Sequence, residues 1–225
     1  MEGISFVDIY ASKGIEYLVV IAFFVAFVYF ARYLGLPRAV AVPAGPASRF
    51  RVPEGLFFHQ GHAWLRPEQG SLAVVGVDDF AQKLVGKVDA LQLPAVGTSL
   101  AQGARGWNLV VDSVPIAMLS PVDGEVVEVN RAVEQSPGLI GEDPYGKGWL
   151  FKVRSPRMAA DATNLLSGKV ARAWMESALD RLQPVQGAPS MALADGGLPV
   201  EGLARVLGGS SWPEVARTHL LTQES

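Results

Sequence analysis

Few residues of this chain combine a type and a spacing that could support chemistry. His59 and His62 stand three apart, but strand neighbours at that spacing face opposite ways, and no carboxylate or third histidine is close in sequence. Asp112 and Ser113 could begin a nucleophilic triad, yet nothing links them to a particular histidine. The sequence therefore predicts no catalytic residue and no metal site, and it favours a non-catalytic subunit or binding module over an enzyme.

Composition excludes further classes of function. The 225 residues carry 19 Lys and Arg against 22 Asp and Glu, and the basic residues are scattered, so no stripe is available for nucleic acid. Cysteine is absent, which excludes disulfides, thiolate catalysis and cysteine-ligated metal. Any redox chemistry would need a bound cofactor.

The elements that must position these residues are mostly short strands. Between residues 55 and 155, apolar runs such as 71–75 (SLAVV), 108–111 (NLVV) and 124–129 (GEVVEV) are separated by Gly, Pro, Asp and Asn. One helix is expected at about Asp78 to Val85, capped by Asp78 or Asp79. This spacing predicts a mainly β body, a small antiparallel sandwich or barrel.

Five sequence blocks resemble the glycine cleavage H-protein family over roughly residues 57–182. They are 62–65 (HAWL), 75–82 (VGVDDFAQ), 93–97 (LPAVG), 120–126 (SPVDGEV) and 142–150 (EDPYGKGWL). The resemblance implies a barrel-sandwich hybrid of lipoyl-domain type. It also implies a swinging-arm carrier that visits the enzymes of glycine cleavage, with His62 near the folded-back lipoyl arm. Most matching residues, such as Trp64, are expected to determine the fold rather than bind ligands.

The chain departs from the family at its functional centre. The family pattern Glu-Ser-Val-Lys is replaced by residues 112–115 (DSVP), and no lysine lies between Lys87 and Lys147. Proline offers neither an amine for lipoate nor a backbone N–H. With Pro115 at the lipoyl-lysine position, no cofactor is expected. The retained surface is predicted to serve recognition through these residues: His62, Asp112, Ser113, Pro115, Ile116, Met118 and Tyr145.

A membrane anchor is predicted near the N-terminus. Residues 15–31 (IEYLVVIAFFVAFVYFA) are almost entirely apolar, and a bilayer core of about 30 Å needs about 20 such residues in a helix. The anchor, at about 15–34, is assigned to these residues: Tyr17, Phe23, Phe27, Tyr29 and Arg32. Because arginines follow the span, the positive-inside rule places the body in the cytoplasm, at the inner (cytoplasmic) membrane. The alternative is a cleaved signal peptide, with 39–41 (AVA) as its cleavage site.

The predicted domains follow this order. The membrane segment is 1–36, a linker is 37–54, the H-protein-like body is 55–155, C-terminal helices are 156–183, and a loop-rich tail is 184–225. Ser155 and Pro156 are expected to start the helical region, which divides near residues 167–168. In the tail, a helical turn is expected at 199–207 and a last helix at 212–221, capped by Ser211. The tail either closes on the body or inserts into another subunit.

Three hypotheses of function follow. The first is a membrane-anchored, non-lipoylated docking or assembly subunit, whose partners are the lipid bilayer and the proteins of a membrane complex. The second is a working lipoyl carrier with lipoate on a displaced lysine such as Lys83 or Lys87. The third is an adaptor of the membrane-fusion type, which would need long helical hairpins and the opposite side of the membrane.

Overall fold

The computed structural model describes residues 6–35, 50–182 and 201–223, without the side chains of 6–13, 15, 31–35 and 180. The chain divides into two units, Met1–Gly45 and Pro46–Ser225. The first contains helix α1, Phe6–Gly35, which begins earlier than the predicted span of 15–34. The strands and the other helices of the described residues lie in the second unit, called the body.

The described side chains of α1 are exposed along its apolar stretch. Tyr17, Phe23, Phe27 and Tyr29 are each more than half exposed, whereas the side chain of Arg32 lies outside the described part. Within the residues described, no helix has the length and hydropathy needed to cross a membrane. The transmembrane helix therefore stays a prediction.

The body contains two antiparallel sheets. The larger sheet has the order β10-β1-β2-β3-β9-β8-β5, and the smaller has the order β4-β6-β7. The strands are β1 (Phe57–Phe58), β2 (Ala63–Pro67), β3 (Leu72–Val77), β4 (Ala90–Gln92), β5 (Ser99–Leu100), β6 (Arg105–Val111), β7 (Val114–Leu119), β8 (Gly124–Val129), β9 (Phe151–Arg154) and β10 (Leu166–Ser167). The mainly β prediction is confirmed.

Trp64 stands at the centre of the core. Its ring is fully buried, and its Nε1–H donates to the carbonyls of Val77 and Pro144 at 3.1 and 3.2 Å. Gly76, opposite Trp64 in the β2–β3 pairing, lets the ring lie directly on the backbone, since a Cβ there would approach Trp64 Cε2 to 2.4 Å. The family-like motifs HAWL and VGVDD are therefore in contact, because the ring of Trp64 lies on Gly76.

Helix α2, Asp79–Val85, forms where the sequence predicts it. Asp78 is the N-cap, and its carboxylate accepts a hydrogen bond from the N–H of Ala81 at 2.8 Å. Phe80 and Leu84 are fully buried, so the predicted apolar face packs on the core. The same carboxylate of Asp78 has a second partner, described below.

The body begins before the predicted boundary at residue 55. Phe50 is buried and contacts Phe80 with ring centroids 5.4 Å apart, and the N–H of Arg51 donates to Asp79. The predicted linker therefore ends in residues that belong to the core, while 36–49 lie outside the described residues.

The helical region after the sandwich differs from the prediction in two ways. Ser155 is not an N-cap: its N–H donates to Ser71 O, its hydroxyl contacts Asp161, and Arg157 precedes the helix. Leu166, predicted in a helical stripe, lies in β10 opposite Phe58. The helices are α3 (Arg131–Gln135), α4 (Leu139–Glu142), α5 (Met158–Ala162) and α6 (Gly168–Arg181).

The described part of the tail closes on the body. It comprises α7 (Leu203–Gly208), a short 3₁₀ turn and α8 (Trp212–His219). Trp212 and Leu220 are buried, and α8 packs against β7. The first of the two alternatives for the tail therefore holds for these residues. Ser211 precedes α8 but makes no side-chain capping bond, contrary to prediction.

Candidate functional site

The β6–β7 hairpin ends in a two-residue turn, Asp112 and Ser113. Both residues have positive φ, 48° and 66°, and Val111 pairs with Val114 across the hairpin. This conformation suits the right-handed twist of the flanking strands. The N–H of Asp112 donates to the carboxylate of Asp89 at 2.8 Å, which attaches the turn to the segment just before β4. Neither turn residue carries an amine.

Pro115 lies in β7, opposite Val110, rather than in the turn. Its side chain is exposed, and β7 is an edge strand of the smaller sheet. An edge strand tolerates proline because its outward N–H groups have no strand partner. The residue predicted at the lipoyl-lysine position thus sits just beyond the tip, in a place that suits proline structurally.

Alternation along β7 corrects part of the predicted recognition surface. Ile116 and Met118 are fully buried because every second side chain of the strand faces the core. His62, in the turn between β1 and β2, is buried as well. These three residues do not belong to an exposed surface in this structure. Asp112, Ser113 and Pro115 are exposed together at the hairpin end.

The tail covers one side of the hairpin tip. The guanidinium of Arg205 in α7 forms an ion pair with the carboxylate of Asp112, and it lies over the ring of Trp212 at 5.2 Å. At the base of the same hairpin, Arg105 donates to the carbonyl of Thr222 at 3.2 Å. Sequence reasoning missed these contacts, although the apolar Trp212 and Leu220 signalled that the tail could pack.

A backbone contact attaches α7 to α2. The N–H of Gly202 donates to the carbonyl of Lys83 at 2.8 Å, and a Cβ on Gly86 would come within 3.0 Å of Gly202 Cα. Gly86 and Gly202 both have positive φ, 80° and 77°. A side chain at Gly86 would push α7 away, whereas at Gly202 the positive φ, and not a steric contact, favours glycine.

The two lysines proposed as alternative lipoyl sites have different surroundings. Lys83 is largely buried against the body, where its Nζ donates to the Asp79 carboxylate at 3.2 Å and lies 5.3 Å from the ring centre of Phe50. Lys87 is exposed and lines a cavity of about 540 Å³ together with Asp112 and Arg205. The structure therefore brings Lys87, and not Lys83, to the hairpin tip.

His62 occupies a strained and crowded position. Its φ is +64°, its ring is 2% exposed, and it stacks between Phe80 and Trp174 with centroids 4.2 and 4.5 Å away. Its Nδ1–H donates to the Asp78 carboxylate at 2.8 Å. His62 thus joins the cap of α2 to α6.

His59 and His62 do not form a metal pair. Nδ1 of His59 accepts a hydrogen bond from the N–H of Gly61 at 3.0 Å, whereas Nδ1 of His62 is engaged by Asp78. Burial, and secondarily the charge of His62, lower the pKa of His59. No group of three metal-ligating side chains occurs among the described residues.

Tyr145 links three segments of the body. Its hydroxyl donates to the Arg51 carbonyl at 2.7 Å and accepts from the N–H of Asp79 at 3.1 Å, and its ring meets Phe58 edge-on. Burial, together with the charge of Asp78, raises the pKa of this phenol. Tyr145 is therefore neutral, and its hydroxyl connects the segments of Arg51 and Asp79 by hydrogen bonds. Its side chain is only partly accessible.

A second cavity, of about 460 Å³, lies between the β1–β2 turn, α6 and α8. His62, Trp174, Ala178 and His219 line it, and Arg181 is the residue of the lining with a permanent charge. The pKa of His219 is lowered by burial and then by the charges of His62 and Arg181. This cavity is distinct from the hairpin tip.

Comparisons with known proteins agree with the sequence motifs. A family described as glycine cleavage H-protein matches residues 56–178. The glycine cleavage system H protein of Thermus thermophilus is 39% identical over 128 residues, which cover 56% of this chain and 97% of that protein. The H protein of Methylocella silvestris is 46% identical over 98 residues, covering 43% and 76%.

A solved structure is also similar. The crystal structure of a glycine cleavage system H protein from Mycobacterium marinum aligns with 56% of this chain and 98% of that one, at 25% identity and a TM-score of 0.46.

Proposed function

Because the chain belongs to the glycine cleavage H-protein family, we propose that it is a non-lipoylated docking or assembly subunit, held at a membrane by α1. The family is one of carrier proteins without catalytic activity, so the prediction that the chain is not an enzyme is confirmed. What is proposed here is the loss of the lipoyl arm and the recruitment of the remaining fold for binding.

The hairpin tip carries this proposal. Its turn is Asp112 and Ser113, its following strand contains Pro115, and neither the turn nor that strand offers a primary amine. In addition, Arg205 holds the Asp112 carboxylate, so the tail blocks one approach to the tip. A carrier needs an amine at the tip to hold the swinging arm, and this turn and strand do not provide one.

The membrane tether is supported by α1. Its large side chains from Tyr17 to Phe30 are apolar or aromatic and exposed, and a single-pass anchor would remove them from water. Tethering raises the effective concentration of a subunit near a membrane partner. It offers less to a shuttle that must visit several soluble enzymes.

A lipoyl carrier is the second candidate, and Lys87 is the observation in its favour. This lysine is exposed beside Asp112 at the tip, so an amide there would place an arm close to the family's usual position. The adaptor hypothesis has less support, since α6, at 14 residues, is the longest helix of the body in the described part.

Intact-mass analysis of the full chain from lipoate-replete cells separates these candidates. We expect no lipoyl adduct, while a lipoylated H protein expressed in the same cells serves as the positive control. A stoichiometric adduct would overturn the proposal, and its disappearance in Lys87→Arg but not in Lys147→Arg would assign it to Lys87.

Affinity capture tests the docking role. The tagged full chain, solubilised gently from its own membranes, should retain stoichiometric protein partners, and deletion of residues 1–36 should reduce their recovery. Capture of nothing in stoichiometric amount would argue against a docking subunit. Glycine cleavage enzymes among the partners would show that the carrier surface still serves that pathway.

Membrane location and orientation have a direct assay, because the chain has no cysteine. A Ser225→Cys variant should pellet with the membrane fraction after alkaline washing. It should react with a membrane-impermeant thiol reagent only when cells are opened. Recovery of the full chain in the soluble fraction would contradict the anchor, and labelling of intact cells would favour the adaptor.

A further inference from the structure

We propose that the cavity of about 460 Å³ between the β1–β2 turn, α6 and α8 binds a small organic carboxylate. This volume is within the range typical of binding pockets for small molecules. The cavity is formed by three separate parts of the body, with Gln60 and His62 from the turn, Trp174 and Arg181 from α6, and His219 from α8. The cavity does not include the hairpin tip. If it bound no ligand, the proposed function would be unaffected.

The charge of the lining favours an anion. Arg181 and His219 lie on two facing helices, and none of the described residues that line the cavity is acidic. His62 and Arg181 both act electrostatically on His219, which places these three groups within range of one another. The Arg181 guanidinium could donate a charge-assisted hydrogen bond to a bound carboxylate.

His62 supplies a fixed hydrogen-bonding group at the base of the cavity. Its Nδ1–H is committed to Asp78, and the stacked rings of Phe80 and Trp174 hold the imidazole plane in place. Nε2 is therefore the ring atom left for a ligand, and no hydrogen bond to it occurs within the described residues. A preorganised group of this kind binds without losing side-chain freedom.

The remaining lining explains why the ligand should be organic. Trp174, Ala178 and Leu221 present apolar surface beside Arg181 and His219, which suits a short hydrocarbon body attached to the carboxylate. A bare inorganic anion would leave that surface in contact with water. The tail contributes His219 and Leu221, so the site exists only while α8 is docked.

The test uses the full chain labelled with 5-fluorotryptophan, in detergent, titrated with sodium butanoate. The fluorine resonance of Trp174, assigned with Trp174→Phe, should shift saturably, while that of Trp149, which faces Lys152, should not. The neutral isostere butanamide should bind at least about tenfold more weakly, because it lacks the charge.

Variants locate the site. Arg181→Gln and His219→Gln should each weaken butanoate binding by about tenfold, whereas Arg172→Gln, an exposed change on the same helix, should leave it unaltered. No saturable shift, equal binding of butanamide, or indifference to Arg181→Gln would overturn the proposal. Tighter binding of inorganic phosphate than of butanoate would overturn the assignment of an organic ligand.

Discussion

At the scale of single residues, the body depends on a few side chains that have two partners each. Asp78 caps α2 and also holds His62, and Tyr145 ties Arg51 to Asp79. These contacts join segments that are far apart in sequence. Substitutions at such positions should therefore affect several elements at once, whereas changes at the exposed tip should be local.

Gly76→Ala should strongly destabilise the body. The new Cβ would lie 2.4 Å from the Trp64 ring, which cannot move because its Nε1–H is held by two carbonyls. We expect a loss of about 1 to 3 kcal/mol in the free energy of unfolding, measured by urea denaturation. Gly106→Ala is the matched control, since its nearest contact would be an ordinary 3.6 Å. Equal stability of the two variants would contradict this packing.

His219 should make stability depend on pH. Burial and neighbouring positive charge lower its pKa in the folded chain, so below its ordinary value of 6.5 the unfolded state takes up the proton more readily. Its contribution is complete above that value and is lost as pH falls towards the folded-state pKa. His219→Gln should reduce the loss of stability between pH 7.5 and 5.5, by at most about 1.4 kcal/mol per pH unit. An unchanged pH profile in urea denaturation would show that His219 does not titrate this way.

At the scale of elements, local signals predicted some features and missed others. The cap at Asp78 and the apolar face of α2 are local, so the helix was predicted almost to the residue. The strand Leu166–Ser167 exists only because Phe57–Phe58 lies beside it, more than 100 residues earlier, and two residues carry no periodicity. The prediction that Ile116 and Met118 form an exposed surface is wrong. Which face of a hairpin is buried depends on the elements that pack on it, and these are distant in sequence.

The tail could not be placed from sequence for the same reason. Its apolar residues indicated that it could pack, but its docking surface is assembled from α2 and β7, which have no sequence relation to it. The position of Lys87 near the hairpin tip and the ion pair of Arg205 with Asp112 could not be predicted either, because both depend on contacts between distant segments.

Leu220→Asp should release the tail from the body. Leu220 is fully buried, and a charge there would lose its hydration without gaining a partner. Hydrogen exchange should become faster in α7 and α8 and remain slow in β2 and β3. Leu221→Asp is the adjacent control, because Leu221 is 54% exposed. Equal exchange in both variants would show that Leu220 does not hold the tail.

At the scale of the whole molecule, the body contains its own core. Among the described residues, the buried apolar side chains run from Phe50 to Leu220, all within the second unit. We expect residues 46–225, produced alone, to unfold in one cooperative transition at the same urea midpoint as the body of the full chain. A broad transition or a lower midpoint would show that the N-terminal unit contributes to stability.

The docking of the tail also sets an order of events during synthesis. The hairpin is complete at Leu119, but Gly202 and Arg205 are made 83 and 86 residues later, a delay of roughly 4 to 17 s at typical rates of translation. During that interval the hairpin tip lacks its ion pair with Arg205, which can form only after α7 has left the ribosome. An enzyme or partner that recognises the bare hairpin would therefore meet it on the growing chain, before the finished protein exists.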